Sequence, residues 1–227
     1  MIEFKNVVKQ FKDGTVALDK LNFVIESGEF VFIVGPSGSG KTTIFRLLIR
    51  EFLPTSGSIF LEKEEVNTLH RKKIPALRRR IGSAFQDYKL LWDRTVFENI
   101  SLPLEILGRS SRETENEVLE ILELVGLKEK GDLFPLQLSG GEVQRTVIAR
   151  ALIAKPSILF ADEPTGNLDP ATAWQIVKLL KQINEKGKTV VMATHNFDIV
   201  DSLKGRVISL EKGKIISDEK KGKYKDV

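Results

Sequence analysis

Gly35-Pro36-Ser37-Gly38-Ser39-Gly40-Lys41-Thr42 decides the fold. Every fixed position of the pattern G-x-x-x-x-G-K-[ST] is filled. Glycines let such a loop turn tightly and point successive N–H groups into one concavity, and the helix that follows aims its positive dipole end at the same place. Lys41 supplies a mobile cation, the Thr42 hydroxyl an oxygen for Mg²⁺, and Thr43 a further phosphate contact. A chance glycine-rich turn would lack context. Here Phe30-Val31-Phe32-Ile33-Val34 precedes the loop as an unbroken apolar run, and Thr42 to Phe52 follows with helical character. A strand with no polar side is one buried on both faces, as in a parallel sheet.

Further along, Ile158-Leu159-Phe160-Ala161 is a second such run, and it ends in Asp162-Glu163. Ligands of doubly wound sheets bind at the carboxyl ends of strands, which places this pair beside the phosphate loop. Asp162 is expected to hold Mg²⁺ through water, and Glu163 to polarise a water for in-line attack on a terminal phosphate. Without the phosphate loop the pair would read equally well as an exposed acidic turn before Pro164. A third buried strand is expected at Thr189 to Ala193, with a helix from about Ala171 to Glu185 between the two. Strands alternating with helices predict an α/β chain with a mostly parallel sheet.

The flanks differ. Residues 2 to 26 read as short strands around the turn Lys12-Asp13-Gly14, with Leu18, Leu21, Phe23 and Ile25 in strand periodicity. Pro54-Thr55-Ser56-Gly57 reads as a turn and Ser58 to Leu61 as a strand. From Val96 to Gly126 the spacing is helical, with Val118, Ile121, Leu122 and Val125 on one face. The charged segment from Ser217 to Val227 reads as a mobile tail.

Leu138-Ser139-Gly140-Gly141-Glu142 lies between the phosphate loop and the acidic strand, and it resembles the signature sequence of ABC-type ATPases. Other elements of that family match in order. Gln86 resembles the glutamine that reaches Mg²⁺ and senses a transmembrane partner. Asn167-Leu168-Asp169 resembles the loop that crosses the dimer interface, and His195 the switch histidine at the γ-phosphate. Phe11 stands where an aromatic ring stacks on adenine. The resemblance spans essentially the whole chain. It implies a P-loop fold of the ABC ATPase type, with a RecA-like parallel-sheet core, an antiparallel β subdomain and an inserted helical subdomain. Residues 1–86 and 154–227 would form the nucleotide lobe, and 87–153 the helical lobe carrying the signature. It also implies Mg-dependent ATP hydrolysis by a head-to-tail homodimer. Ser139, Gly140, Gly141 and Glu142 of one subunit would complete the ATP site of the other, and an integral membrane subunit would receive the motion. Phe11 replaces the commoner Tyr, Glu142 a common Gln, and Asn196 the usual Asp after the switch histidine.

Within the family, Phe85-Gln86-Asp87-Tyr88-Lys89-Leu90-Leu91 and Asp93 to Asn99 are similar to ATPases of bacterial cell-division complexes, as is Arg206 to Gly213. That likeness implies a peripheral place on the cytoplasmic face of the membrane and regulation of cell-wall hydrolases. The ATPase of an exporter or a lipoprotein-release system is the nearest rival. A soluble ABC ATPase acting on nucleic acid or ribosomes is a rival of another class. Such proteins usually carry two ATPase units or long insertions. A catalytically weak scaffold fits poorly with intact Lys41, Asp162, Glu163 and His195.

Composition sets the outer limits. The absence of cysteine excludes disulfides, thiolate metal sites and a thiol nucleophile. Two histidines, His70 and His195, cannot build a histidine cage. Thirty-five Lys and Arg against thirty-one Asp and Glu give a net charge of +4, which neither demands nor forbids a polyanionic partner. The longest uncharged stretch, Phe30 to Gly40, is far shorter than the roughly 20 apolar residues of a membrane span. The N-terminus lacks the apolar core of a secretory signal, so a cytoplasmic chain is expected. The basic run Arg71 to Arg80 and His70 read as solvated surface, Trp174 and Met192 as core. Trp92 reads either as a partner anchor or as packing within the helical lobe.

Overall fold

The computed structural model describes residues 1–203 and 205–220. In chain order the elements are β1 (Ile2–Gln10), β2 (Val16–Ile25), β3 (Phe30–Val34), α1 (Lys41–Leu48), β4 (Ser56–Leu61), β5 (Glu64–Glu65), α2 (Ile74–Arg79), β6 (Ile81–Ala84), α3 (Val96–Ile106), α4 (Ser111–Leu124), α5 (Gly140–Leu152), β7 (Ile158–Asp162), α6 (Pro170–Glu185), β8 (Thr189–Thr194), α7 (Phe197–Leu203), β9 (Arg206–Glu211) and β10 (Lys214–Glu219).

Two sheets result. β2, β1, β4 and β5 form an antiparallel sheet, and β10, β9, β3, β8, β7 and β6 form the other, in those orders. In the second sheet β9, β3, β8, β7 and β6 run parallel and β10 pairs antiparallel at the edge. The unbroken apolar runs are explained by their two faces. Val31, Ile33, Phe160, Val191 and Ile208 face α1 and the antiparallel sheet. Phe32, Val34, Leu159, Val190 and Met192 face the side covered by α5, α6 and α7, a core that α3 and α4 also join. Phe45 of α1 stacks on Phe160 of β7 with ring centroids 4.4 Å apart, so the helix carrying Lys41 and Thr42 is packed on the strand ending in Asp162.

Several boundaries depart from the sequence reading. α1 stops at Leu48 rather than Phe52. Arg50 adopts φ +57°, and its N–H donates to Leu47 O while Glu51 N–H donates to Arg46 O. This closing geometry normally selects glycine. The Arg50 side chain is anchored on the carbonyls of Val66 and Asn67, which compensates. The turn at residues 54–57 is shorter than expected, because β4 already includes Ser56 and Gly57. The helical stretch after Val96 is two helices. α3 closes through an Arg109 N–H to Leu104 O bond, and Ser110 opens α4 with a capping box to Glu113.

The expected tail is partly strand. Ser217, Asp218 and Glu219 lie in β10, where the Asp218 carboxylate accepts two hydrogen bonds from Arg206 at 2.8 Å. Residues 221–227 of that segment lie outside the described residues. No helix among the described residues is long and apolar enough to cross a membrane. Met192 is fully buried and Trp174 partly so. Trp92 is 45% exposed, so it does not serve as core packing.

Candidate active site

The loop between β3 and α1 wraps a cavity of about 550 Å³, which Gln86, Glu163, His195 and Phe197 also line. Gly40 ends the loop at φ +108°, and a Cβ there would come within 2.6 Å of Leu18 and 2.7 Å of the Ala17 carbonyl, so no other residue fits. The Lys41 ammonium donates to the carbonyls of Gly35 at 2.7 Å and Pro36 at 3.2 Å and lies 3.6 Å from Glu163 Oε1. His195 Nδ1 stands 2.9 Å from that same oxygen. Lys41, Glu163 and His195 therefore converge on one point. The whole segment Pro36, Ser37, Gly38, Ser39, Gly40, Lys41, Thr42, Thr43 lines the cavity.

Glu163 is held under strain. It has φ +49°, a region non-glycine residues seldom occupy, and its N–H donates to Ala193 O at 2.9 Å. Such backbone is retained where surrounding structure over-determines it, often at functional sites. The turn directs the side chain into the phosphate cavity, while Asp162, still in strand geometry, faces a second cavity of about 410 Å³. Thr42 and Gln86 line both spaces. Burial pushes the Asp162 carboxyl above its usual range. A Thr42 hydrogen bond and the charges of Lys41 and Arg46 oppose that rise, and Glu163 adds to it. Asp162 Oδ1 and Glu163 Oε2 are both buried without a hydrogen-bond partner. Two acceptors left this way are free to take a hydrogen bond or a cation from outside the chain.

The signature is elsewhere. Ser139 is the N-cap of α5, its N–H and hydroxyl both donating to Glu142 Oε2 at 2.9 Å. Those bonds hold the Glu142 carboxyl below its usual range, with Lys130 3.6 Å away as a smaller contribution. Ser139 and Gly140 are exposed, and no signature residue lines either cavity. Gly141 has a packing reason: a Cβ would meet Thr172 Cγ2 at 2.4 Å, where the start of α5 passes the start of α6. Leu168 packs on the core and lies close to Gly140, Asn167 lines the second cavity, and Asp169 caps α6 by accepting from Thr172 N–H at 3.0 Å. The Thr172 hydroxyl, and then that backbone bond, hold the Asp169 carboxyl low.

Phe11 does not line the phosphate cavity. Its ring meets Phe52 edge-on at 5.5 Å, and Lys9 Nζ lies 5.1 Å from its centroid. Asn196 has a role that its place after His195 hid. Its Oδ1 accepts from Ile199 N–H at 3.2 Å, which caps α7 and leaves His195 to Glu163. An Asp would cap equally well, so the exchange keeps the geometry. Two residues near the site went unread: Phe197 lines the phosphate cavity, and Arg46 lends charge to Asp162. Arg46 stands four residues after Thr42, about one helical turn onward, a spacing that could have revealed it.

Comparison with known proteins agrees with this geometry. The ABC transporter family matches residues 18–166. The chain is 50% identical over 224 residues to the cell division ATP-binding protein FtsE of Bacillus subtilis (strain 168), covering 99% of this chain and 98% of that protein. It is 42% identical over 213 residues to FtsE of Escherichia coli (strain K12), covering 94% and 96%. Among solved structures it resembles the dimeric post-hydrolysis state of the ATP-binding cassette MJ0796 bound to ADP and Pi, with TM-score 0.89, 38% identity and coverage of 99% and 100%. CbiO1 of Clostridium perfringens gives TM-score 0.90 at 31% identity, covering 96% and 88%. By this family match and these near-full-length identities, the chain belongs to the ABC transporter ATPase family.

Proposed function

We propose that this chain is the ATP-hydrolysing subunit of a bacterial cell-division complex. It would act as an ATP-closed homodimer on an integral membrane subunit of the FtsX kind, at the cytoplasmic face of the membrane. The observation that carries this reading is near-full-length identity of 42–50% to proteins named FtsE, joined to an intact set of hydrolytic residues.

ATP phosphates would sit in the loop cavity against its N–H groups and the N-terminal dipole of α1. Lys41 would exchange the carbonyls of Gly35 and Pro36 for phosphate oxygens. Glu163 would orient and polarise the attacking water through its unpartnered oxygen, with His195 holding the other oxygen. The ring of Phe11 would stack on adenine. No group of three or more acids and histidines gathers as a metal cage among the described residues. Thr42, Gln86 and Asp162 do present hard oxygens beside the phosphate cavity, one of them buried without a partner, and that set fits Mg²⁺. When bound, Mg²⁺ supplies neutralisation of phosphate charge.

The exposed signature supports the dimer, because its cap geometry presents the helix start to solvent. Asn167, Leu168 and Asp169 would lie at the same interface. Residues 87–153 would move as a helical lobe against 1–86 and 154–227. An apolar groove of about 400 Å³ between the end of β6 and α3, with Ile106 exposed and Arg150 and Lys89 at its edge, would seat the membrane subunit. The test is affinity purification of the full chain from detergent-solubilised membranes. An FtsX-like polytopic protein is the expected companion. A lipoprotein-release permease, or a ribosome, would overturn the cell-division reading.

A further inference from the structure

Gln86 borders both cavities of the site, and the chain immediately after it is strained. Tyr88 and Lys89 have φ +57° and +50°, so two consecutive residues with side chains occupy left-handed backbone. Such conformations arise singly and persist only where neighbours enforce them. Here the N–H groups of Tyr88 and Lys89 donate to Phe85 O and Asp87 O, Tyr88 packs on the core, and one distant side chain clamps both residues' carbonyls. Arg150 of α5 donates from Nη1 to Lys89 O at 2.6 Å and from Nη2 to Tyr88 O at 2.8 Å. A planar guanidinium reaches two successive carbonyls at once from two nitrogens fixed in one plane.

The environment of Arg150 makes this contact informative. Burial lowers its pKa, and no carboxylate pairs with it among the described residues. A half-buried cation satisfied by carbonyls is a poor source of stability. Its placement instead links two functional segments. Arg150 lies on the helix that begins at Ser139, about 16 Å along a rigid rod. The chain beyond Lys89 is fastened separately, with Asn99 of α3 binding Leu91, Arg94 and Thr95 through four backbone hydrogen bonds. The Arg150 fork is thus the tie from the strained pair to the signature helix.

We infer that Arg150 is a positioning residue for hydrolysis: by gripping the carbonyls of Tyr88 and Lys89 it fixes where Gln86 stands relative to the signature helix. This rests on the assignment of Gln86 to the ATP site.

The test is a double-mutant cycle on the full chain, reading steady-state ATPase activity and ATP affinity for Arg150→Met, Gln86→Ala and both together. Arg150→Met should lower kcat about tenfold and leave the Kd for ATP within about twofold. The double variant should be no slower than Gln86→Ala alone, because residues acting through one another are not additive. Arg150→Lys should recover part of kcat, and it carries the cycle if Arg150→Met does not fold. Multiplying losses in the double variant, or a raised Kd with kcat unchanged, would overturn the proposal while leaving Gln86 in the site. Full activity of Gln86→Ala would remove Gln86 from the mechanism, and the role of Arg150 with it.

Discussion

The phosphate cavity and the signature segment are built in opposite ways. In the cavity, Lys41 and Glu163 are buried and converge with the exposed His195 at one oxygen, and Glu163 stands on strained backbone to reach it. In the signature, polar groups are exposed and locally satisfied, with Ser139 and Glu142 closing a capping box on each other. A strained, incompletely satisfied cluster is poised for a ligand. A satisfied, exposed helix start is poised for a surface. On the proposed reading, one chain holds a chemical half-site and a separate recognition half-site, which a second copy would bring together.

The comparison can be broken most severely at Glu163. Glu163→Gln removes the proposed general base but keeps Lys41, Thr42 and Asp162, so kcat should fall by about 10²- to 10⁴-fold with ATP still bound. Radioactive phosphate release and equilibrium ATP binding check the two halves. Loss of binding would mean that Glu163 shapes the cavity rather than the chemistry. On the recognition side, Gly141→Ala forces a Cβ against Thr172, and overpacking of that kind costs about 1–3 kcal/mol. Chemical denaturation should show it, and adding Thr172→Ser, which deletes the opposing methyl, should restore most of the loss. Failure of that rescue would mean the close approach of α5 and α6 is not the reason for the glycine.

A smaller effect sharpens the electrostatics. Burial raises the Asp162 pKa, so the folded chain binds that proton more tightly than the unfolded chain does. Stability contributed by this group is therefore full below the ordinary value of 3.8 and is lost as pH rises through the raised one. Asp162→Asn should melt at a higher temperature than the parent near neutral pH, with the difference closing below about pH 4. An equal difference at all pH values would mean the desolvation of Asp162 is not what destabilises the fold.

Much of this was legible in sequence because its signals are local. The apolar runs at Phe30–Val34 and Ile158–Ala161 announce doubly buried strands, and the loop and acidic pair follow directly at their ends. What escaped depends on partners distant in the chain. Arg50 closes α1 without glycine because the carbonyls of Val66 and Asn67 secure it. Ser217 to Glu219 form a strand because Arg206 and β9 pair with a segment whose composition alone suggests a solvated tail. Arg150 reads as one more charge on an amphipathic helix until the fold brings Tyr88 and Lys89 beneath it. The break between α3 and α4 was available in Gly108-Arg109-Ser110 followed by Glu113, a helix stop and a capping box, but the continuous apolar spacing masked it.

The central claim, two half-sites joined by ATP across two copies, is tested most directly by the solution mass of Glu163→Gln with and without Mg·ATP. The account predicts a monomer that doubles in mass only with Mg·ATP, and no doubling when Ser139→Arg is added to block the helix start. A dimer that forms without nucleotide or survives Ser139→Arg would contradict it, as would a monomer with ATP shown to be bound.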